Sequence, residues 1–358
     1  MRHAARRDES RDRPGRAAAV VTHARVVAPA ELDDASIEEW NGFLERAGFQ
    51  SPFLSAAWAR MVCALRESAR VAVLQDDERV LGFFPYEMSG AALRAARRIG
   101  GHLSDCCGLI GEPQLRLSPA ELLAAAGIAY FEFDHLPAAQ AAHGLPAGRP
   151  QWGLRIRIGD ARTYWQAVAE HNRPFAKKVD SGARQLARDI GPLRFAFQTA
   201  DLDAEVANLI ARKRAQYARS GVADGLGEPW ARALVARAAA STDRYCGGVM
   251  STLYAGDRWV ASSLGLRCGE LLHEWLPVYE PALRRYGPGH ILRRFIIENS
   301  AANAISMLDF GEGRNPHKVK YVVETYEMSK GQWTVPGWRA LAARAIRSAA
   351  WRLEMLRR

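Results

Sequence analysis

The sequence predicts a mixed α/β protein, and three observations predict it. Stretches with apolar residues at helical spacing alternate with short runs of strand length from residue 33 to the C-terminus. Two acidic turns, Asp76-Asp77-Glu78 and Ala255-Gly256-Asp257, each join a pair of such strand runs, about half the chain apart. Either two lobes of similar build or two unrelated hairpins would give that echo. The third observation lies at 279–297. There a strand (270–280) meets the turn Gly287-Pro288-Gly289, and a helix follows with Ile291, Leu292, Phe295 and Ile296 on one face.

Each element has its own signal. Residues 33–47 read as a helix with Ile37, Trp40 and Leu44 inward and Gly48 at its end. Ser55 caps a second helix, whose stripe is Trp58, Met61, Val62 and Leu65. Strands at 70–75 and 79–87 flank the first acidic turn, and the glycine-rich stretch 100–111 holds a strand and a tight loop. Ser118-Pro119-Ala120-Glu121 is a capping box with proline at the first helical position, so a helix starts there. A strand at 129–133 follows, and the Ala/Gly/Pro-rich stretch 137–150 reads as a linker or exposed loop. Further on, strands are expected at 152–158, 193–198, 246–254, 259–266, 270–280, 305–310 and 321–328. Helices are expected at 163–171, 174–190, 201–219, 229–240 and 338–356.

The net charge of +10 sits mainly at the two ends. Residues 1–16 carry six Arg against three acids (+3), and residues 337–358 carry six Arg against one Glu (+5). The body keeps only +2 and has no basic stripe interleaved with aromatics, which speaks against nucleic acid. Residues 1–22 read as a disordered basic tail without the apolar core of a secretory signal. No run of ~20 apolar residues marks a membrane span. Five cysteines, with no C-x-x-C pair and no zinc spacing, fit a reducing cytoplasm and no metal. The adjacent Cys106 and Cys107 are either ordinary half-buried thiols or a redox or metal pair.

A glycine turn feeding a helix N-terminus presents unpaired N–H groups and the positive end of the helix dipole, a site for phosphate or pyrophosphate. The pattern Arg284-x-x-Gly287-x-Gly289 fits the R/Q-x-x-G-x-G/A loop with which GNAT-type acyltransferases hold coenzyme A. Four further segments carry a wider resemblance, across about residues 52–326. They are Ser51-Pro52-Phe53-Leu54-Ser55-x-x-Trp58, Gly82-Phe83-Phe84-Pro85, Ser104-Asp105-Cys106-Cys107-Gly108-Leu109-Ile110, and Asp309-Phe310-Gly311-Glu312-Gly313 followed by Lys318. Together they resemble the CelD-type, GNAT-like acetyltransferases of cellulose and exopolysaccharide biosynthesis, distant relatives of the Fem peptidyltransferases. The chain departs from that pattern at Cys106 and Cys107, and at His317, where tyrosine is usual.

The resemblance implies two tandem GNAT-like lobes, 23–150 and 151–330, each a mostly antiparallel central sheet flanked by helices. It implies acetyl-CoA or another acyl-CoA as cosubstrate and acyl transfer to an amine or hydroxyl. The implied acceptor is a small molecule or saccharide related to the envelope or exopolysaccharide. A Fem-like aminoacyl transferase and a non-catalytic accessory protein of a polysaccharide synthase are the alternatives. The first lobe offers only Arg97-x-x-Gly100-x-His102, so acyl-CoA is expected in the second lobe, held by Arg284, Arg285, Gly287, Gly289 and His290.

For proton transfer the candidates are His273 and Glu274, neighbours on a strand whose side chains face opposite ways, so at most one faces substrate. Glu274 could equally be a paired carboxylate between lobes. Asp309 ends an apolar strand, where a site residue is presented to a ligand, or it caps the Gly311 turn. Lys318 is one of six lysines against 43 arginines, and the resemblance implies a role at the acyl donor. Asp105 either meets the acceptor between lobes or satisfies local N–H groups. The helix at 337–358 carries Trp338, Leu341, Ile346, Ala349 and Leu353 on one face and arginines elsewhere. It is expected to meet an anionic membrane or a synthase partner, making the protein membrane-peripheral, or else to pack on its own domain.

Overall fold

Thirteen strands form one continuous sheet in the computed structural model, which describes residues 21–77 and 79–356, with side chains as far as residue 348. The expected tail, apart from its last two residues, lies outside the described residues. The first half of the chain runs β1 (His23–Val27), α1 (Asp34–Arg46), α2 (Ala56–Cys63), β2 (Ala69–Asp76), β3 (Arg79–Gly90), β4 (Ala95–Arg98), β5 (Ile110–Gly111), α3 (Pro119–Ala125) and β6 (Tyr130–Pro137). The second half begins with β7 (Arg149–Arg157), α4 (Ala161–His171), α5 (Arg173–Asp189), β8 (Leu193–Ala196), α6 (Leu202–Ser220), α7 (Pro229–Ala240), β9 (Gly247–Ala255) and β10 (Arg258–Cys268). It ends with β11 (Leu271–Tyr279), α8 (Pro288–Asn299), β12 (Met307–Glu312), β13 (Glu324–Thr334) and α9 (Trp338–Leu356).

The strand order is β1-β2-β3-β4-β6-β13-β7-β12-β11-β10-β9-β8, with β5 pairing β3. Most pairs are antiparallel, as the tight turns dictate. Two pairs are parallel: β4 with β6, and β11 with β12. A parallel pair needs a crossover, which α3 makes in the first half and α8 in the second. That repeated unit is the structural content of the sequence echo. The last strand, β13, lies between β6 and β7 and is antiparallel to both.

The caps follow the local chemistry. Asp33, Ser55 and Ser118 accept from the backbone N–H three residues on, and Glu121 returns the bond to Ser118. Three elements escaped the pattern reading. β1 is a short strand with a mostly exposed side, and β4 (Ala95-Ala96-Arg97-Arg98) has no large apolar residue to alternate. β13 starts at Glu324 rather than 321 and continues past 328, where exposed Lys330 and Gln332 disguise its alternation. The stretch expected as a linker is instead packed: Gln140 is buried, accepting from the N–H of Leu109 (2.8 Å) and donating to its carbonyl (2.9 Å).

Two faces of the sheet matter for function. On one, α1 and α2 from the first half and α6 and α7 from the second share a single apolar core, with Trp40, Trp58, Leu209, Leu234 and Trp275 in it. On the other, α4, α5 and α8 cover Leu154, Ile156, Leu253 and Leu272. No helix among the described residues is long and apolar enough to cross a membrane.

Candidate active site

The parallel strands β11 and β12 are paired only from Leu271–Met307 to His273–Asp309, and beyond that point they part. At the parting, β11 carries an extra residue: Gly265 faces Glu274 while Leu264 faces Leu276, so Trp275 is a bulge. Bulges re-aim side chains and break the hydrogen-bond ladder beside binding sites. Strand alternation sends His273 and Glu274 to opposite faces, as expected, and each is tied down there.

On the α8 face, Glu274 makes a bidentate pair with Arg293 of α8, at 3.1 and 2.5 Å, and both side chains are buried. The Arg293 guanidinium lies over Phe310 at 4.4 Å and over Tyr321 at 5.2 Å. Burial works against its charge, but Glu274 and Tyr321 outweigh that and hold it ionised. Lys318 is buried on the same side, donating to the Glu312 carbonyl at 2.6 Å. Burial lowers its pKa, with Glu274 pulling the other way. Glu274 is therefore a paired carboxylate, but its partner is on α8 of the same half rather than across the lobes.

On the opposite face, His273 is 2 % exposed and packs edge-on against Phe53. Its Nδ1 lies 3.0 Å from Asp309 and its Nε2 3.0 Å from Asp105, a residue of the first half. Burial disfavours an imidazolium, but the two carboxylates outweigh it and push the pKa up to about 10. Both ring nitrogens of His273 are thus occupied by carboxylates, which favour the imidazolium. Asp309 also accepts from Tyr326 Oη (2.8 Å) and from the N–H of Gly311 (2.9 Å), the turn-capping bond. Asp105 satisfies His273 rather than neighbouring N–H groups, and its carboxylate remains partly exposed between the halves.

The glycine turn sits at the outer end of this opening. Gly287 has a left-handed φ of 73° and closes the Pro281–Tyr286 turn, and α8 begins at Pro288. In its first turn Pro288 has no N–H, and His290 donates to the Gly287 carbonyl at 3.0 Å. The Gly289 N–H has no acceptor among the described residues. A Cβ placed on Gly289 would meet nothing within 4 Å, and its φ is not left-handed. Neither packing nor backbone conformation inside the protein requires glycine there. Helix α5 fixes the turn: a Cβ on Gly182 would lie 2.2 Å from the Tyr286 carbonyl oxygen, and Asp189 accepts from Tyr286 Oη at 3.0 Å.

The two arginines of the loop differ. Arg285 lies over the Tyr286 ring and pairs with Asp189 at 3.5 Å, whereas Arg284 is exposed with no ion-pair partner among the described residues. His290 is a neutral ring, not a cation. Its pKa is driven down to about 3 by burial and then by Arg293, Lys320, His317 and Lys178, and its Nδ1 meets Tyr321 Oη at 3.0 Å. Of these, Arg293, Lys320 and Lys178 are cations that add to the helix dipole at the turn.

Pattern reading missed Arg293 and Tyr321, and also Lys213 of α6. The Lys213 ammonium donates to the Pro277 carbonyl (3.1 Å) at the parted end of β11, on the His273 face. Burial lowers its pKa to about 8, with Glu274 and Asp105 opposing. Its rarity in an arginine-rich chain, the argument that picked Lys318, would have found it.

Residues 173–319 match the family model described as an acetyltransferase (GNAT) domain. No curated protein matches the chain. Among solved structures, FemX is similar over 87 % of this chain and 97 % of its own, with a TM-score of 0.58 and 9 % identity. The C-terminal domain of a protein designated a lysylphosphatidylglycerol synthetase, from Agrobacterium fabrum, is similar over 87 % of this chain and 94 % of its own (TM-score 0.52, 14 % identity). A protein of unknown function from Bacteroides thetaiotaomicron is similar over 84 % and 98 % (TM-score 0.50, 12 % identity). At such identities the likeness is one of fold, and it runs through both halves of the chain. The segment that holds the parted strands and the glycine turn is thus the part of the chain similar to GNAT-type acetyltransferase domains.

Proposed function

We propose that the protein transfers an acyl group from acyl-CoA to an amine or hydroxyl of an acceptor bound between its two halves. The observation that carries this is Gly289: an amide without an acceptor, on a residue with no internal reason to be glycine, at the N-terminus of α8 and beside the parted strands. A pyrophosphate fits there, with Arg284 unpaired alongside and Lys178 and Lys320 near. The acyl thioester would then lie along the parted end of β11, at the Trp275 bulge.

The acceptor enters from the His273 face, where Asp105 and Lys213 come from opposite halves of the chain. The acceptor's nucleophilic nitrogen or oxygen bonds to the acyl carbon, the carbon–sulfur bond breaks, and the acceptor proton passes to a base. Lys213 in its neutral form is the candidate base, since His273 is already protonated and both oxygens of Glu274 are held by Arg293. Glu274 and Asp309 position Arg293 and His273 rather than touching the proton. By its resemblance to polysaccharide-associated acetyltransferases, the acceptor is a saccharide or envelope precursor.

Calorimetric titration of acetyl-CoA against the wild-type protein and Gly289→Glu tests the donor site. Binding by the wild type and its loss in the variant are expected, and absence of wild-type binding removes the proposal. A donor esterified to tRNA is the second reading, favoured by the buried Lys318 ammonium on the donor face. It predicts tRNA binding that falls steeply with salt.

A further inference from the structure

The C-terminal helix α9 is docked by one side only. Ala340 and Ala343 are buried, Ala343 in a small cluster with Ala95 and Tyr130, and Arg347 pairs with Glu132 of β6 at 2.6 Å. At 100° per residue the opposite side presents Trp338, Leu341, Ala342, Ala345 and Ile346 in one arc. The three large side chains of that arc are 63 %, 66 % and 62 % exposed, the most exposed large apolar residues among the described ones. No acid lies on α9 from Trp338 to Leu353, and Arg339 flanks the arc with its guanidinium over the Trp338 ring at 4.8 Å. A helix with an exposed apolar face, arginines at its border and more along the remaining sequence is built to lie in a lipid interface.

We infer that α9 seats the protein on the surface of an anionic bilayer, with Trp338, Leu341 and Ile346 in the acyl boundary and arginines at the headgroups. Charge complementarity selects this occupant: residues 337–358 carry +5, a sign that anionic headgroups attract and that a second copy of the same helix repels. The inference stands apart from the acyl-transfer reading, because α9 lies on the first half of the sheet, against β6.

The test is co-sedimentation of the full chain with vesicles of 30 % phosphatidylglycerol in phosphatidylcholine, and with phosphatidylcholine alone. The expected result is binding to the anionic vesicles that weakens with salt and falls on the order of tenfold or more in Trp338→Gln/Leu341→Gln/Ile346→Gln. Because these side chains face outward, the variant is expected to keep the wild-type thermal midpoint, which shows that any loss is not unfolding. Failure of the wild type to sediment overturns the inference. So does equal sedimentation of the variant, which would assign binding to other basic segments. Concentration-dependent dimerisation lost in the variant also overturns it, by showing that a second copy covers the face.

Discussion

Asp105, from the first half of the chain, meets His273, from the second, at 3.0 Å, and Asp309 takes the ring's other nitrogen. The imidazolium is therefore a tie between the halves at the floor of the opening. His273→Gln removes the buried cation between two carboxylates and is expected to cost ~3–5 kcal/mol, read by chemical denaturation. The pH dependence has a definite sign. With a folded pKa of about 10 against 6.5 unfolded, this contribution is complete below pH 6.5 and is lost as pH rises toward 10. The wild type should therefore lose more stability than the variant between pH 7 and pH 9.5.

Gly182 and Gly289 are expected to fail in opposite ways. At Gly182 an added methyl meets the Tyr286 carbonyl, so Gly182→Ala should destabilise by ~1–3 kcal/mol and displace the loop. At Gly289 the methyl meets open space, so Gly289→Ala should leave the thermal midpoint in place while weakening acetyl-CoA. Thermal melts and calorimetry on the two variants separate the effects.

If Lys213 receives the acceptor proton, kcat/KM rises with pH and levels off above a midpoint near 8, where the amine becomes neutral. Lys213→Met is expected to flatten that limb and reduce kcat by ~10²–10⁴-fold with acetyl-CoA affinity kept. A pH–rate profile unchanged by the substitution would exclude this role.

The Glu274–Arg293 pair is buried on both sides, so truncating one partner strands a charge. Glu274→Ala is expected to cost ~3–5 kcal/mol, and adding Arg293→Met should restore much of it. The double-mutant cycle measures the coupling.

Cys106 and Cys107 are buried free thiols, pushed up by burial, Cys107 to about 12. Neither should react with a thiol reagent at pH 8 in the folded protein. Cys63, half-buried, is expected to label first.

What was legible in the sequence was whatever a local rule governs. The caps at Ser55 and Ser118, the hairpins around the acidic turns, and the glycine turn ahead of α8 each follow from neighbours a few residues away. The opposite orientation of His273 and Glu274 followed from strand period alone. Their partners did not, because Asp105 lies 168 residues from His273 and Arg293 is one arginine among 43. The setting of His273 was hidden for the same reason: an isolated imidazole suits proton abstraction, and only the fold shows the two carboxylates on its ring. β4 was invisible because its place in the sheet needs small residues rather than an apolar alternation.

The insertion of β13 between β6 and β7 sets an order of events during synthesis. Strands made early must wait with open edges until residue 334 has left the ribosome, since the strand that joins them is made after the other twelve. A chain cut short before Glu324 would lack not a peripheral strand but the seam, leaving two sticky borders where the finished protein has none. Such a fragment should collect in aggregates even though most of its helices and hairpins could form.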